Sequence, residues 1–319
     1  MILTVTLNAA IDRTVAVPSF QVGRRHRSVD SRTLPGGKGI NVARALSLLG
    51  RPVIATGLAG GPTGERIIEQ LQEESVLTDF TRIADESRIN LAVADPTSGV
   101  QTEINERGPQ VTDEELEAFS ERLEYLIAGT RICVLAGSLP PGVDVELYGR
   151  LIKELKARDV TVLLDSYGEP MIAGLRAGPS VITPNQREAE ELVGHEFEDD
   201  AEQFTGVTEL IGLGSAEAII TRPNGCVAAV GVGTERALYE VEIEPLETIS
   251  RVGSGDAFVA GFVAARYENG SPADCLAYAV ACGAESTQHF GAGTVDRERV
   301  EGLLDQVEVR EADQPATLS

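Results

Sequence analysis

The sequence predicts an α/β protein: a doubly wound, mostly parallel sheet with helices on both faces and a small β lid. Three observations carry this expectation. Short aliphatic runs of strand length alternate with segments of helical period along most of the 319 residues. The runs are continuously apolar, as strands buried on both faces are. Two stretches, 13–34 and 88–106, break the alternation with a period near two and read as hairpin strands outside the main sheet.

In chain order, a strand at 2–7 precedes a helix at 40–49, and a strand at 53–58 precedes a helix at 65–71. Beyond the second irregular stretch, whose turn falls at 95–99, come a strand at 132–136, a helix at 144–157, a strand at 160–164, a helix opening near 188 and a strand at 218–221. The C-terminal third is helical at 256–267, 273–290 and 297–307. The expected organisation is one domain over 1–308, with its lid formed from about 13–34 and 88–106, and a frayed tail at 309–319.

Composition removes several function classes. With 27 Lys+Arg against 50 Asp+Glu the net charge is −23, which disfavours nucleic acid and anionic membrane surfaces as partners. The start of the sequence has no basic leader and no apolar run approaches the ~18 residues of a membrane span, so a cytoplasmic location is expected. Lysine occurs only at Lys38, Lys153 and Lys156. Low lysine with a large acidic excess is the composition of an extreme halophile, since at multimolar salt the Debye length falls to ~3 Å or less and a self-repelling surface is tolerated. Cys133, Cys226, Cys275 and Cys282 form no metal-binding spacing and read as reduced core thiols. His26, His195 and His289 are too scattered for a histidine base or a metal cluster.

The chemistry is carried by loops. The first strand lacks a dinucleotide-binding glycine pattern, and Gly37-Lys38 fails as a P-loop, because Gly39 stands at the Ser/Thr position and Arg32 at the first glycine. Two other glycine-rich segments run straight into apolar helices: Pro35-Gly-Gly-Lys-Gly-Ile-Asn41 and Val252-Gly-Ser-Gly-Asp256. Glycines at a helix start let backbone N–H groups and the positive dipole end approach an anion. Either loop alone is equally a plain turn or cap; both in one chain favour anion binding. Asp256 is then either a first-turn carboxylate favoured by the dipole or a general base for a hydroxyl attacking a phosphoryl group. Asn185 and Glu188 form a capping box by sequence, and their oxygens also suit hydrated magnesium.

In family order, Thr6-Leu-Asn-Ala-Ala-Ile-Asp12, Gly36-Gly-Lys-Gly-Ile-Asn41, Arg88-Ile-Asn90, Gly137-Ser-Leu-Pro-Pro-Gly142, Pro184-Asn-Gln-Arg-Glu188 and Gly253-Ser-Gly-Asp256 resemble the ribokinase/PfkB carbohydrate kinases. Within them the pattern is similar to the 1-phosphofructokinase and tagatose-6-phosphate kinase branch. The resemblance spans about 1–300 and implies a ribokinase-like fold with a β lid over the sugar. It implies Asp256 as base, with the Gly253, Ser254, Gly255 and Asp256 amides as anion hole. Asp12, Gly37 and Asn41 would bind sugar hydroxyls, with Asn90 and Ser138 also at the acceptor. Lys38 and Arg88 would hold the phosphate already on the substrate. Asn185 and Glu188 would support magnesium through water, and Thr221, Arg222, Gly225, Gly253 and Gly255 would lie at the nucleotide. ATP and magnesium are the implied cofactors, with a monovalent cation left open. This sequence departs from the branch at Ala9, where proline is usual, in the short turn from Thr221 to Gly225, and at Arg251, where a small residue is common.

The expected activity is phosphoryl transfer from ATP to fructose 1-phosphate, giving fructose 1,6-bisphosphate. A tagatose-6-phosphate or other sugar-6-phosphate kinase is the same-fold alternative, because a ketofuranose carries a hydroxymethyl group at each end and can enter a phosphate-gripping site either way round. A non-catalytic sugar-phosphate-binding regulatory protein is the alternative of another class, against which Asp256 and both loops argue. An exposed lid sheet also offers a surface for a second copy across a twofold axis.

Overall fold

The computed structural model describes residues 1–231 and 236–312. β1 (Ile2–Thr6) is followed by two lid strands, β2 (Ala10–Ala16) and β3 (Asp30–Gly36), and by α1 (Lys38–Leu48). β4 (Val53–Gly60), α2 (Gly61–Glu73) and β5 (Leu77–Ile83) lead to the other lid strands, β6 (Arg88–Ala94) and β7 (Gln101–Ile104). The chain continues through α3 (Asp113–Ile127), β8 (Ile132–Ala136), α4 (Leu147–Lys156), β9 (Thr161–Asp165), α5 (Gly168–Arg176), β10 (Val181–Ile182), α6 (Gln186–Val193), α7 (Asp200–Gly212) and β11 (Glu217–Arg222). It ends with β12 (Gly225–Val230), β13 (Ala237–Ile243), α8 (Ser254–Tyr267), α9 (Pro272–Ser286), α10 (Arg297–Leu303), a 3₁₀ turn at Leu304–Gln306 and β14 (Val307–Ala312).

Among the described residues the main sheet has ten strands in the order β14-β13-β12-β11-β10-β9-β8-β1-β4-β5. From β5 to β11 neighbours run parallel, while β11 to β14 are antiparallel. The parallel strands are buried on both faces, and the alternation of side chains divides each strand between two apolar layers. Along β8, Ile132, Val134 and Ala136 join a layer with α1, α2, α8 and α9, whereas Cys133 and Leu135 join one with α3, α4 and α7. The chain order reverses at β1, which pairs with β4 on one side and β8 on the other. Open α/β sheets bind ligands beyond the strand ends at such a reversal.

The lid is a separate four-stranded sheet, β3-β2-β6-β7, with Asp12 directly opposite Asn90 where β2 pairs with β6. Its strands begin at Ala10, earlier than the expected residue 13. Two C-terminal expectations are corrected. The expected tail from 309 continues instead as β14, which pairs with β13 and turns Val307 and Val309 toward the core edge; residues 313–319 lie outside the described residues. The helix expected to reach 290 stops at Ser286, and a turn with Gly291 and Gly293 at positive φ follows. All four cysteines are free and buried, and no helix among the described residues is long and apolar enough to cross a membrane.

Candidate active site

Both glycine-opened helices begin without a side-chain cap. Gly37 (φ 104°) precedes α1 and Gly253 (φ 78°) precedes α8, and neither end has a side-chain hydrogen bond to its first-turn N–H groups. Among the other helices α2, α4 and α5 also lack a side-chain cap, whereas α3, α6, α7, α9 and α10 are capped by Thr112, Asn185, Asp199, Ser271 and Asp296. The uncapped ends of α1 and α8 keep their N–H donors and dipoles for an external anion. Glycine is required at 253, because a Cβ there would stand 2.4 Å from that of Ala292 as well as face the positive φ.

α1 and α8 converge on one carboxylate. Asn41 on α1 donates from Nδ2 to Oδ2 of Asp256 at 2.8 Å. Asp256 is buried because α8, from Asp256 to Ala264, is covered along its length. Burial pushes the Asp256 carboxyl up to about 7, the negative charge of Asp165 adds to the rise, and Lys38 and the Asn41 hydrogen bond oppose it. A base operates best with its pKa near the working pH.

Lys38 Nζ donates to Asp165 Oδ1 at 2.7 Å. Burial alone would push this ammonium down, but Asp165, Asp256 and Glu188 outweigh it and hold it above the ordinary lysine range. Asp165 is the functional-site residue that sequence reasoning missed. It ends β9, and only its position at the C-terminal edge of a buried strand marks it.

Three cavities meet around this core. One of about 270 Å³ is roofed by the lid and lined by Asp12, Gly37, Lys38, Asn41, Arg88, Asn90 and Ser138, so every expected acceptor residue borders it. Four of its lining residues, Thr6, Asn8, Asn41 and Asn90, keep a buried side-chain oxygen without a protein partner. Such oxygens suit a polyhydroxy ligand. Asp12 accepts from Asn90 at 2.8 Å, and burial, opposed by Asn90 and Arg88, pushes its carboxyl above the usual range. Arg88 donates to the carbonyls of Asn8 and Glu106, which leaves part of its donor fork for an anion.

A second cavity of about 920 Å³ joins Lys38 and Asp165 to Thr183, Asn185, Glu188, Arg251, Ser254 and Gly255. The third, about 210 Å³, has Thr221, Arg222, Gly225 and Leu246 on one side and Phe258, Val280 and Ala284 on another. Gly255, Ser254 and Arg251 border both, so these two cavities form one continuous cleft leading to Lys38.

Two expected ligands have protein partners of their own. Arg222 is engaged by Gln203, Asp200 and Glu240, so its guanidinium joins α7 to β13 at the cleft wall. Asn185 Oδ1 accepts from Glu188 N and Glu188 Oε2 accepts from Asn185 N, both at 3.0 Å, so the capping box is formed. The box leaves Glu188 Oε1 free, and Thr183 Oγ1 nearby has no partner. This all-oxygen donor set fits a hydrated magnesium held through water. No histidine borders the three cavities, and no cluster of three His, Cys, Asp or Glu side chains forms a metal site among the described residues.

A buried carboxylate near an uncapped helix end, bonded to Asn41 of the oxygen-rich cavity and following Ser254 and Gly255 of the second cleft, suits transfer of a phosphoryl group to a hydroxyl. The chain belongs to the pfkB family of carbohydrate kinases, which matches residues 4–299; these are ATP-dependent phosphotransferases. The fold is similar to phosphofructokinase-2 from Escherichia coli, solved with substrates and products, at 28% identity over 95% of this chain and 98% of that one, with a TM-score of 0.88. A protein described as a possible 1-phosphofructokinase from Thermotoga maritima matches at 28% identity, 98% of this chain and 100% of that one, also with a TM-score of 0.88. Ribokinase from Arabidopsis thaliana, solved with ribose and ATP, shares the fold at 22% identity over 95% and 98% of the two chains, with a TM-score of 0.76.

Proposed function

We propose that the protein is a 1-phosphofructokinase, transferring the γ-phosphoryl group of ATP to fructose 1-phosphate. The observation that carries the reading is the buried Asp256 carboxylate, raised to about 7, which accepts a hydrogen bond from Asn41 of the oxygen-rich cavity and directly follows Ser254 and Gly255 of the second cleft. The acceptor hydroxyl gives its proton to Asp256 as its oxygen bonds to the γ-phosphorus. The bond from that phosphorus to the bridging oxygen breaks, and its electron pair leaves on ADP. The Gly253, Ser254, Gly255 and Asp256 amides face the developing charge from the α8 end. Asp12, Gly37, Asn41 and Asn90 orient the sugar hydroxyls. Arg88, with Ser138, is left for the acceptor's own phosphate, because Lys38 is already held by Asp165 at the border of both cavities and is better placed for the transferring group. Asn185 and Glu188 would hold magnesium, which when bound offsets the charge of the donor phosphates.

A sugar-6-phosphate acceptor is the second reading. It is supported by the Escherichia coli neighbour, which was also solved with fructose 6-phosphate. A monovalent cation rests on the potassium complex of that same neighbour, and no step above uses it. A cytoplasmic location is proposed from the composition. A homodimer through the lid is proposed from Ile89 and Ile104, exposed apolar residues on β6 and β7. ATP consumption over a panel of fructose 1-phosphate, fructose 6-phosphate, tagatose 6-phosphate and fructose tests the function. Fructose 1-phosphate should give the highest kcat/KM, with unphosphorylated fructose at least ~100-fold lower for want of an anion at Arg88. Preference for a 6-phosphate selects the second reading, and binding without turnover selects the regulatory protein.

A further inference from the structure

Arg251 is a cation without an ion-pair partner among the described residues, in a chain of net charge −23. The other cations bordering the donor cleft are paired: Lys38 with Asp165, Arg187 with Glu191, and Arg222 with Asp200 and Glu240. Among the described residues no carboxylate lies within ion-pair distance of Arg251, and its side chain is exposed. Its backbone is fixed, since its carbonyl accepts from both N (3.3 Å) and Oγ (3.0 Å) of Ser254 and so closes the turn into the anion loop.

Arg251 stands where three cavities adjoin, the two parts of the donor cleft and one of about 690 Å³ that it shares with Asp95 and Glu103 of the lid side. It borders both parts of the donor cleft, at the stretch between the apolar end and the anion loop. It does not border the acceptor cavity. A donor polyphosphate lying along this cleft brings several negative charges into a region where Lys38, Arg187 and Arg222 each share their charge with an acid, and Arg251 adds a charge that is not so shared. A guanidinium offers a planar fork that matches phosphate oxygens.

We propose that Arg251 clamps the terminal phosphates of the donor nucleotide and stabilises the charge that builds there during transfer. The inference rests on the kinase reading above. In the step itself the acceptor oxygen bonds to the γ-phosphorus, its proton goes to Asp256, and the bridging oxygen keeps the electron pair of the broken bond. The added negative charge therefore falls on the β-phosphate side of that bond. An arginine on the donor side of the anion loop meets more charge in the transition state than in the ground state, so it lowers the barrier as well as the donor KM.

The test is calorimetric titration of the parent, Arg251→Ala and Arg251→Lys with ADP and with AMP, followed by steady-state kinetics. ADP affinity should fall about 10- to 100-fold in Arg251→Ala, recover in part in Arg251→Lys, and leave AMP affinity unchanged. In turnover the ATP KM should rise and kcat fall with the acceptor KM unmoved. Equal weakening of ADP and AMP, no weakening of either, or a rise confined to the acceptor KM would each overturn the assignment. The binding arm needs no acceptor. A parent that binds ADP but turns over no sugar phosphate overturns the acceptor reading while the ADP/AMP contrast still decides Arg251, and a parent that binds no nucleotide overturns both.

Discussion

Asn41 holds Asp256: the 2.8 Å hydrogen bond from Nδ2 to Oδ2 joins the first turns of α1 and α8, the two helices that open on glycine loops. One side chain therefore fixes the proposed base to the helix that also carries Lys38. Because that bond favours the ionised carboxylate, it belongs to the tuning of the base as well as to its position.

The first prediction concerns this tuning. With Asp256 as the proposed base, activity requires its ionised form, so kcat/KM should rise with pH and level off above about 7. Asp165 raises the Asp256 carboxyl whereas Lys38 and Asn41 lower it. The acidic limb of the profile should therefore move to lower pH in Asp165→Asn, and to higher pH in Lys38→Gln and Asn41→Ala. Limbs that stay in place in all three variants would mean that another group titrates.

Arg88→Ala should raise the KM for the sugar phosphate about 10- to 100-fold while leaving the ATP KM within about threefold, since Arg88 borders the acceptor cavity and not the donor cleft. A modest loss in melting temperature should accompany it, because the guanidinium also ties the carbonyls of Asn8 and Glu106. Equal rises in both Michaelis constants would assign Arg88 to lid structure alone.

Stability should depend on salt. At 0.1 M the Debye length is ~10 Å, long enough for surface carboxylates at a net charge of −23 to repel one another. Melting temperature should rise steeply between 0.1 M and molar KCl. Coincident melts would show that the acidic excess is neutral for stability.

The sequence already contained much of this site. Continuous apolar runs identify the parallel strands because burial on both faces removes polar alternation, and the glycine-rich segments identify α1 and α8 because each runs straight into an apolar helix. Three features were not legible, for different reasons. Asp165 belongs to no local pattern, and its partner Lys38 is 127 residues away in the chain. β14 is an edge strand with half its residues in solvent, so Val307-Glu-Val-Arg-Glu-Ala312 reads as a polar tail until β13 is beside it. Arg222 ends β11 beside a turn that resembles a nucleotide contact, but acids from α7 and β13 converge on it only in the folded chain. The α3 helix, by contrast, carries a signal in the sequence, where Thr112 and Glu115 stand at capping-box spacing.

The most direct test of the account is kcat for Asp256→Asn at pH 8, measured beside a melting curve. Asparagine keeps the shape but cannot take the proton, so kcat should fall ~10²- to 10⁴-fold with both Michaelis constants little changed. The carboxyl is raised in the fold from 3.8 to about 7, so its contribution to stability is full below the lower value and is lost as pH rises through the upper one. At pH 8 the parent bears the whole cost of an ionised buried carboxylate, and the variant should melt no lower than the parent. A kcat within about threefold of the parent would contradict Asp256 as the general base.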